Sequence, residues 1–273
     1  MASTLIDSAI FGDIFSAAPM RQVWSDENRT AQYVAIESAL AKVQGALGLI
    51  PAEAATEIQR VCDFKNIDMV KLKAQTERIG YPILGVVSQI NALCRDKLGE
   101  YCHWGATTQD ITDTATVLQI RQALDLVEAD LAAIAKALAK LAREHRLTPM
   151  IGRSNLQQAI PVTFGYKMAG LLAAIERHRE RVAQLRPRVL VGEFAGAAGT
   201  LASLETGAMD TQAGLCAELG LGQPLIAWHT IRDNIAEVGA VLGLIGGTLG
   251  KLSMDVKLMM QTEVGEVQEP YYH

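Results

Sequence analysis

Cysteine is scarce in this sequence and never falls at metal-binding or redox spacing. Cys62, Cys94, Cys102 and Cys216 form no CxxC pair, and no histidine cluster lies near them. A disulfide framework is therefore not expected, and four reduced thiols in a cytoplasmic protein are. Aromatic side chains are also few, at 5% of 273 residues. Ala, Leu and Gly must fill the interior, a mixture that favours close-packed helices over sheets. No block of Lys or Arg is present, and the formal charge of -5 is well mixed. Neither a nucleic-acid groove nor contact with an anionic membrane surface is expected. Met1 to Ala18 contains Asp7 and Asp13 and no basic stretch, unlike a signal peptide. No apolar run approaches the roughly 20 residues that cross a bilayer.

What is abundant is heptad order. Val117, Ile120, Leu124, Val127, Leu131, Ile134, Leu138 and Leu141 alternate in steps of three and four. That seam predicts one helix, and the stripe alone spans roughly 36 Å at about 1.5 Å per residue. A second stripe runs through Ile235, Val238, Leu242, Ile245, Leu249, Leu252, Val256 and Met259, with Gly239, Gly243, Gly246 and Gly250 beside it. Each glycine costs a helix interior about 1 kcal/mol, so a row of them points to another backbone packed close by. A third stripe is Phe164, Met168, Leu171, Ile175, His178, Val182 and Leu185, where His178 reads as a structural or interface residue. Seams this long are usually buried against copies of the same chain, so a homo-oligomer with a shared helical core is expected.

Shorter helices are expected before these. Ser25-Asp26-Glu27 can cap a helix through Ile36, Leu40 and Val43 that stops near Gly48, and Pro51 opens the next. Gly80-Tyr81-Pro82 reads as a turn, Ile83 to Leu93 as a helix, and Gly99 to Thr108 as an irregular connection. The fold class is all-α: a small helical N-terminal domain over 1–108, then a long-helix bundle over 109–273.

Three polar segments sit at the ends of these helices, where function often resides. In His103 to Thr114, Gly105-Ala106 keeps bulk away while Thr107, Thr108 and Gln109 present two hydroxyls and an amide. A helix N-terminus with such groups attracts a carboxylate or phosphate, although Asp110 or Thr108 could equally be capping the helix. Arg153, Ser154, Asn155, Gln157 and Gln158 precede the third stripe, and Arg153 can pair bidentately with a carboxylate. The alternative is a solvated loop before a helix. Trp228-His229-Thr230-Ile231-Arg232-Asp233 heads the glycine-striped helix, and again offers a cation or a plain Arg232-Asp233 cap. Together they suggest recognition of a small anion. His103, His229 and the carboxylates show no local spacing such as HxxxH, and neither GxxxxGK[ST] nor GxGxxG occurs. No metal and no cofactor are expected.

At these segments the chain resembles the fumarase/aspartase superfamily. His103 to Asp110 is similar to that superfamily's first signature region and Arg153 to Thr163 to its second. Thr262-Glu263-Val264-Gly265-Glu266-Val267 with Glu269-Pro270 is similar to the stretch before the third. The likeness runs from about Phe11 to the end. Within the superfamily the chain most resembles the 3-carboxy-cis,cis-muconate cycloisomerases. That likeness is carried by Leu124 to Leu131, Leu185 to Val191, Trp228-His229-Thr230 and Met259 to Glu263. Adenylosuccinate lyases are more distantly similar, through Arg232-Asp233 and Thr262 to Glu266.

The resemblance implies a homotetramer with active sites shared between subunits. It also implies a cycloisomerase or lyase acting on a small polycarboxylate, by proton removal next to a carboxylate and an aci-carboxylate intermediate. The alternatives are a carbon–nitrogen lyase releasing fumarate and an inactive helical scaffold. Thr107, Thr108 and Gln109 would bind a substrate carboxylate, with His103 at the site's edge. Ser154 and Gln157 match polar binding positions, and Arg232 would reach in from another subunit. Two departures stand out. Asn155 or Gln158 occupies the position where relatives keep a histidine. The family's proton-abstracting serine lies in a loop expected after His273, so the catalytic residue is unknown and these residues alone are not expected to be a complete catalyst.

Overall fold

The computed structural model describes residues 4–270, and ten α-helices, three short 3-10 helices and one hairpin are found among them. Two short helices come first, α1 (Gly12–Phe15) and α2 (Ala18–Val23), followed by α3 (Asp26–Ala46) and α4 (Ala52–Val61). Then come α5 (Met69–Ile79) and α6 (Ile83–Leu93). The long α7 (Thr108–Glu144) precedes the strands β1 (Pro149–Ser154) and β2 (Gln157–Thr163), and α8 (Phe164–Val189) follows. The last helices are α9 (Ala208–Glu218) and α10 (Asp233–Met259).

Local chemistry sets the boundaries. Ser25 Oγ accepts from the Asn28 N–H at 3.1 Å, and Asp26 and Glu27 in the first turn of α3 complement the helix dipole. Gly80 ends α5 in the left-handed region at φ +97°. The expected helix over Ile83–Leu93 is α6.

The chain divides into two compact units, and neither is continuous in sequence. The first comprises Met1–Ala123 and Pro187–Arg232; the second comprises Leu124–Arg186 and Asp233–His273. The expected boundary at 108/109 coincides with the start of α7, whereas the units part within that helix. The core of the first unit includes Ile36, Leu40, Ile58, Ile83 and Ile90, all nearly inaccessible. In the second, Met168, Leu171, Ile175, Val182 and Leu185 line the buried face of α8. His178 is buried with them and bonds Thr248 of α10 at 2.7 Å, so its role in that stripe is structural.

Two expectations are corrected. The segment from Gly152 to Thr163 is not a loop running into a helix but most of an antiparallel hairpin, with Ser154 opposite Gln157 and Arg153 opposite Gln158. Asn155 and Leu156 form its two-residue turn, both in the left-handed region at φ +52° and +61°. Such turns match the twist of paired strands, and Asn tolerates them; Leu does not advertise them, which hides the hairpin in the sequence. A Cβ on Gly152 would come within 2.9 Å of the Ile160 carbonyl oxygen, beside an irregularity in the pairing between Ile151 and Arg153. The second correction concerns α10, which is long and apolar enough to cross a bilayer by length and composition. Glu237 and Lys251 interrupt its apolar run, so a search for unbroken stretches passes over it. A bundle helix has the same composition. Among the described residues its glycine face is open: a Cβ at Gly239, Gly243, Gly246, Gly247 or Gly250 would meet nothing within 4 Å.

Candidate active site

Buried charge marks the site. Glu37, Asp110, Asp113 and Glu193 are all buried in the first unit. Carboxylates in an interior need partners, and each of these finds them at the start of α7 or close to it.

Asp110 organises the helix start. Its Oδ2 accepts from the Thr107 N–H at 2.9 Å and the Gly196 N–H at 3.0 Å. Its Oδ1 accepts from the Ala195 N–H at 2.9 Å and lies 2.8 Å from His229 Nε2. The bond back to Thr107 is half of a capping box, so the capping reading of Asp110 is right. The contacts with residues 195, 196 and 229 go beyond capping.

Glu193 approaches the same nitrogen of His229. Its Oε2 accepts from the Trp228 N–H at 2.8 Å, and its Oε1 lies 3.8 Å from His229 Nε2. That Oε1 is buried with no hydrogen-bond partner. Thr114 Oγ1 fixes the backbone at Glu193, bonding both its N–H and its carbonyl at 2.9 Å. Burial pushes the Glu193 carboxyl up to about 7. The Trp228 N–H and His229 pull the other way, while Asp110 and Asp113 add to the rise.

One turn along α7, Asp113 receives Arg232 bidentately at 2.6 and 2.9 Å. The guanidinium also lies 5.0 Å from the centre of the Trp228 ring. Gln109 Nε2 donates to Asp113 Oδ2 at 3.0 Å and to the His229 carbonyl at 2.8 Å. Arg232, expected to reach in from another subunit, is instead joined through Asp113 to Gln109 of its own chain, because the bidentate ion pair holds it there. Thr107 and Thr108 are half-buried at the same helix start, and their hydroxyls bond no other described residue.

His103 closes the near side. Its Nδ1 lies 2.6 Å from Glu37 Oε1, and Cys102 Sγ lies 3.7 Å from Glu37 Oε2. Burial opposes the charged imidazole, but the Glu37 carboxylate and its hydrogen bond prevail, so the His103 pKa is raised. The backbone is left-handed at His103 (φ +64°) and at Gly105 (φ +74°). At Gly105 a Cβ would fall 2.6 Å from Leu204 Cγ. Glycine is required there by both conformation and space.

Of the residues expected to form the site, His103, Thr107, Thr108, Gln109 and Arg232 gather in the first unit. Arg153, Ser154, Asn155, Gln157 and Gln158 lie on the hairpin of the second unit. Arg153 pairs there with Glu266 at 2.7 and 2.9 Å. Arg153 and Asn155 line a cavity of about 590 Å³ that also contains Lys167, Lys251 and Asp255.

Glu37, Asp113 and Glu193 escaped sequence reading. The available signal was a lone carboxylate within an apolar stretch, as in Ala35-Ile36-Glu37-Ser38-Ala39-Leu40 and Leu190-Val191-Gly192-Glu193-Phe194. The expectation of no metal rested on local spacing. Asp110, Glu193 and His229, from three separate segments, offer ligand atoms within 4.8 Å of one another. Such a cluster can hold a cation or share protons. A carboxylate, a bonded imidazole and a second carboxyl that titrates near neutrality suit acid–base chemistry.

Comparison with known proteins shows the family. The lyase family matches residues 9–272. The chain is 56% identical over 268 residues to trans-aconitate decarboxylase 1 of Mycosarcoma maydis, covering 98% of this chain and 54% of that protein. It is 45% identical over 264 residues to the 3-carboxy-cis,cis-muconate cycloisomerase of Pseudomonas aeruginosa, covering 96% and 58%. The crystal structure of the 3-carboxy-cis,cis-muconate lactonizing enzyme of Pseudomonas putida superposes with a TM-score of 0.93 at 42% identity, covering 97% of this chain and 61% of that one. The chain thus spans a little over half the length of the curated relatives it matches.

Proposed function

Since the chain belongs to the lyase family of the fumarase/aspartase superfamily, we propose that the whole protein is a cycloisomerase or lyase acting on a small unsaturated polycarboxylate. The closest reaction is the lactonization of 3-carboxy-cis,cis-muconate, by way of an aci-carboxylate. The observation that carries this reading is the start of α7. There Thr107, Thr108 and Gln109 belong to the same unit as Arg232, His103 and His229, a set of donors suited to carboxylates and to charge that grows during reaction.

A second reading is favoured by the likeness to trans-aconitate decarboxylase. Trans-aconitate and 3-carboxy-cis,cis-muconate are both unsaturated tricarboxylates, so the same donors serve either. The assembly is a cytoplasmic homotetramer in which copies cover the open glycine face of α10, and in which hairpin residues such as Ser154 and Gln157 reach a site shared between subunits. The loop serine of relatives would abstract the proton. The deciding experiment follows ultraviolet absorbance of 3-carboxy-cis,cis-muconate and carbon dioxide release from trans-aconitate with the full-length protein. Loss of absorbance establishes the first reading and gas release the second; turnover of neither overturns both.

A further inference from the structure

Another cavity lies within the first unit, lined by the N-terminal half of α3 and by α5. Helical spacing sets its walls. Asp26, Arg29, Thr30 and Tyr33 recur at steps of three, one and three, and so share one face of α3. Met69, Leu72, Lys73 and Thr76 repeat those steps on α5. Pro82, the residue before α6, adds to the lining. The volume is about 370 Å³, at the lower end of the range for small-molecule sites. None of these residues is among the groups gathered at the start of α7.

Two hydroxyls on the α3 wall lack partners. Thr30 is 4% exposed and Tyr33 is 5% exposed. Neither hydroxyl bonds another described residue, whereas Thr76 Oγ1 on the facing helix donates to the Leu72 carbonyl at 2.8 Å. Neither is sealed from solvent, so the cavity is the space they face. Polar groups this deep are ordinarily hydrogen-bonded, and two of them on one wall leave bonds for an occupant to make.

Charge of both signs lines the cavity, and geometry sorts it. Arg29 pairs with Asp26 only loosely, at 3.4 Å, and Lys73 with Glu77 at 3.7 Å. The Asp26 carboxylate is 80% exposed and the Arg29 side chain 44%, so the anion of that pair stands out in water and the cation nearer the wall. Burial raises the Tyr33 phenol above its ordinary 10, so the phenol keeps its proton and can donate. The Arg29 charge acts on that phenol more strongly than the Asp26 charge does. The polar corner made by Arg29, Thr30 and Tyr33 is therefore suited to an anion. Met69, Leu72 and Pro82 make the rest apolar.

We propose that this cavity is a binding site for a small monocarboxylate with an apolar body. The carboxylate accepts from the Tyr33 and Thr30 hydroxyls and from the Arg29 guanidinium, which exchanges its long contact with Asp26 for a charge-assisted bond. The apolar body covers Met69, Leu72 and Pro82. A polycarboxylate is a poor fit, because its further charges would be pressed against those side chains. The site is separate from the one at the start of α7, and it does not depend on the reaction proposed above.

The test is calorimetric titration of the full-length protein with phenylacetate. One molecule should bind per chain with a Kd below about 1 mM, within reach of a ligand of about ten non-hydrogen atoms. The cation 2-phenylethylammonium, of similar size, should bind at least about tenfold more weakly. Tyr33→Phe removes only the hydroxyl, and Arg29→Gln lies at a half-exposed position. Each should raise Kd by about tenfold, the loss expected for one hydrogen bond to a charged group. Methyl NMR should show phenylacetate shifting Met69 and Leu72, with the shifts unchanged by excess tricarballylate, a saturated tricarboxylate. No binding at millimolar concentrations would mean that water alone occupies the cavity, and would overturn the proposal. So would an unchanged Kd in both variants, equal binding of the cation, or displacement by tricarballylate. Should Tyr33→Phe fail to fold, Arg29→Gln and the methyl shifts still decide.

Discussion

Glu37 Oε1 and His103 Nδ1 are 2.6 Å apart, with the carboxylate fully buried and the imidazole one-fifth exposed. The pair holds a strained residue, since His103 is left-handed at φ +64°. The His103 pKa is raised above its ordinary 6.5. The folded state therefore binds that proton more tightly than the unfolded chain does. The associated stability is full below about 6.5 and disappears as pH rises through the folded value. Glu37→Gln should lower the His103 midpoint in an NMR titration and flatten stability over that window. An unmoved midpoint would show that Glu37 does not govern the imidazole.

Glu193 gives the same sign by a different cause. Burial moves its carboxyl from 4.5 to about 7. Between these values the folded chain holds a proton that the unfolded chain has released, so stability declines as pH rises through the interval. Denaturant unfolding from pH 5 to 8 should show that decline in the wild type and a flatter profile in Glu193→Gln. Matching slopes would place the pH response elsewhere.

Gly105 permits no side chain. Alanine there faces a left-handed φ and a clash with Leu204. The two effects together should cost about 2–4 kcal/mol in equilibrium unfolding. A loss below about 0.5 kcal/mol would mean that the Leu204 side chain moves aside freely.

Arg232 joins Asp113 and the Trp228 face, and it is two-fifths exposed. Solvent screening limits what the ion pair contributes, so Arg232→Ala should destabilise by about 1–2 kcal/mol. If Arg232 also binds substrate, KM should rise at least tenfold in the alanine variant. Arg232→Lys should recover much of the stability but little of the binding, because lysine lacks the bidentate fork. Full recovery of KM by lysine would refute a bidentate contact.

The glycine face of α10 separates chain stability from assembly. Gly246→Leu meets open space within the chain and improves helix propensity by up to about 1 kcal/mol. A copy packed on that face would be displaced. Sedimentation should then show smaller particles without loss of helicity; an unchanged assembly would mean that the face lies outside the interface.

The sequence was most informative where one periodicity acted alone. The seam of α7 and the stripe of α8 could be read directly, because burial of Val117, Leu124, Leu131 and Ile175 follows helical spacing. The hairpin could not, because its alternation is weak and its turn uses Leu156. The candidate site divides the same way. Thr107 to Gln109 stand out as a polar helix start. Glu37 and Glu193 are defined by contacts across long separations, and no local pattern records which distant N–H or imidazole will meet them.

The discontinuity of the first unit also orders events in time. Asp110 is made early, yet its partners Ala195 and His229 follow 85 and 119 residues later. At roughly 5–20 residues per second, the imidazole emerges about 6–24 s after the carboxylate it will hold. Until then Asp110 must remain in water or in the care of a chaperone, because burying it sooner would strand its charge. The start of α7 is therefore among the last parts of the first unit that a growing chain can complete.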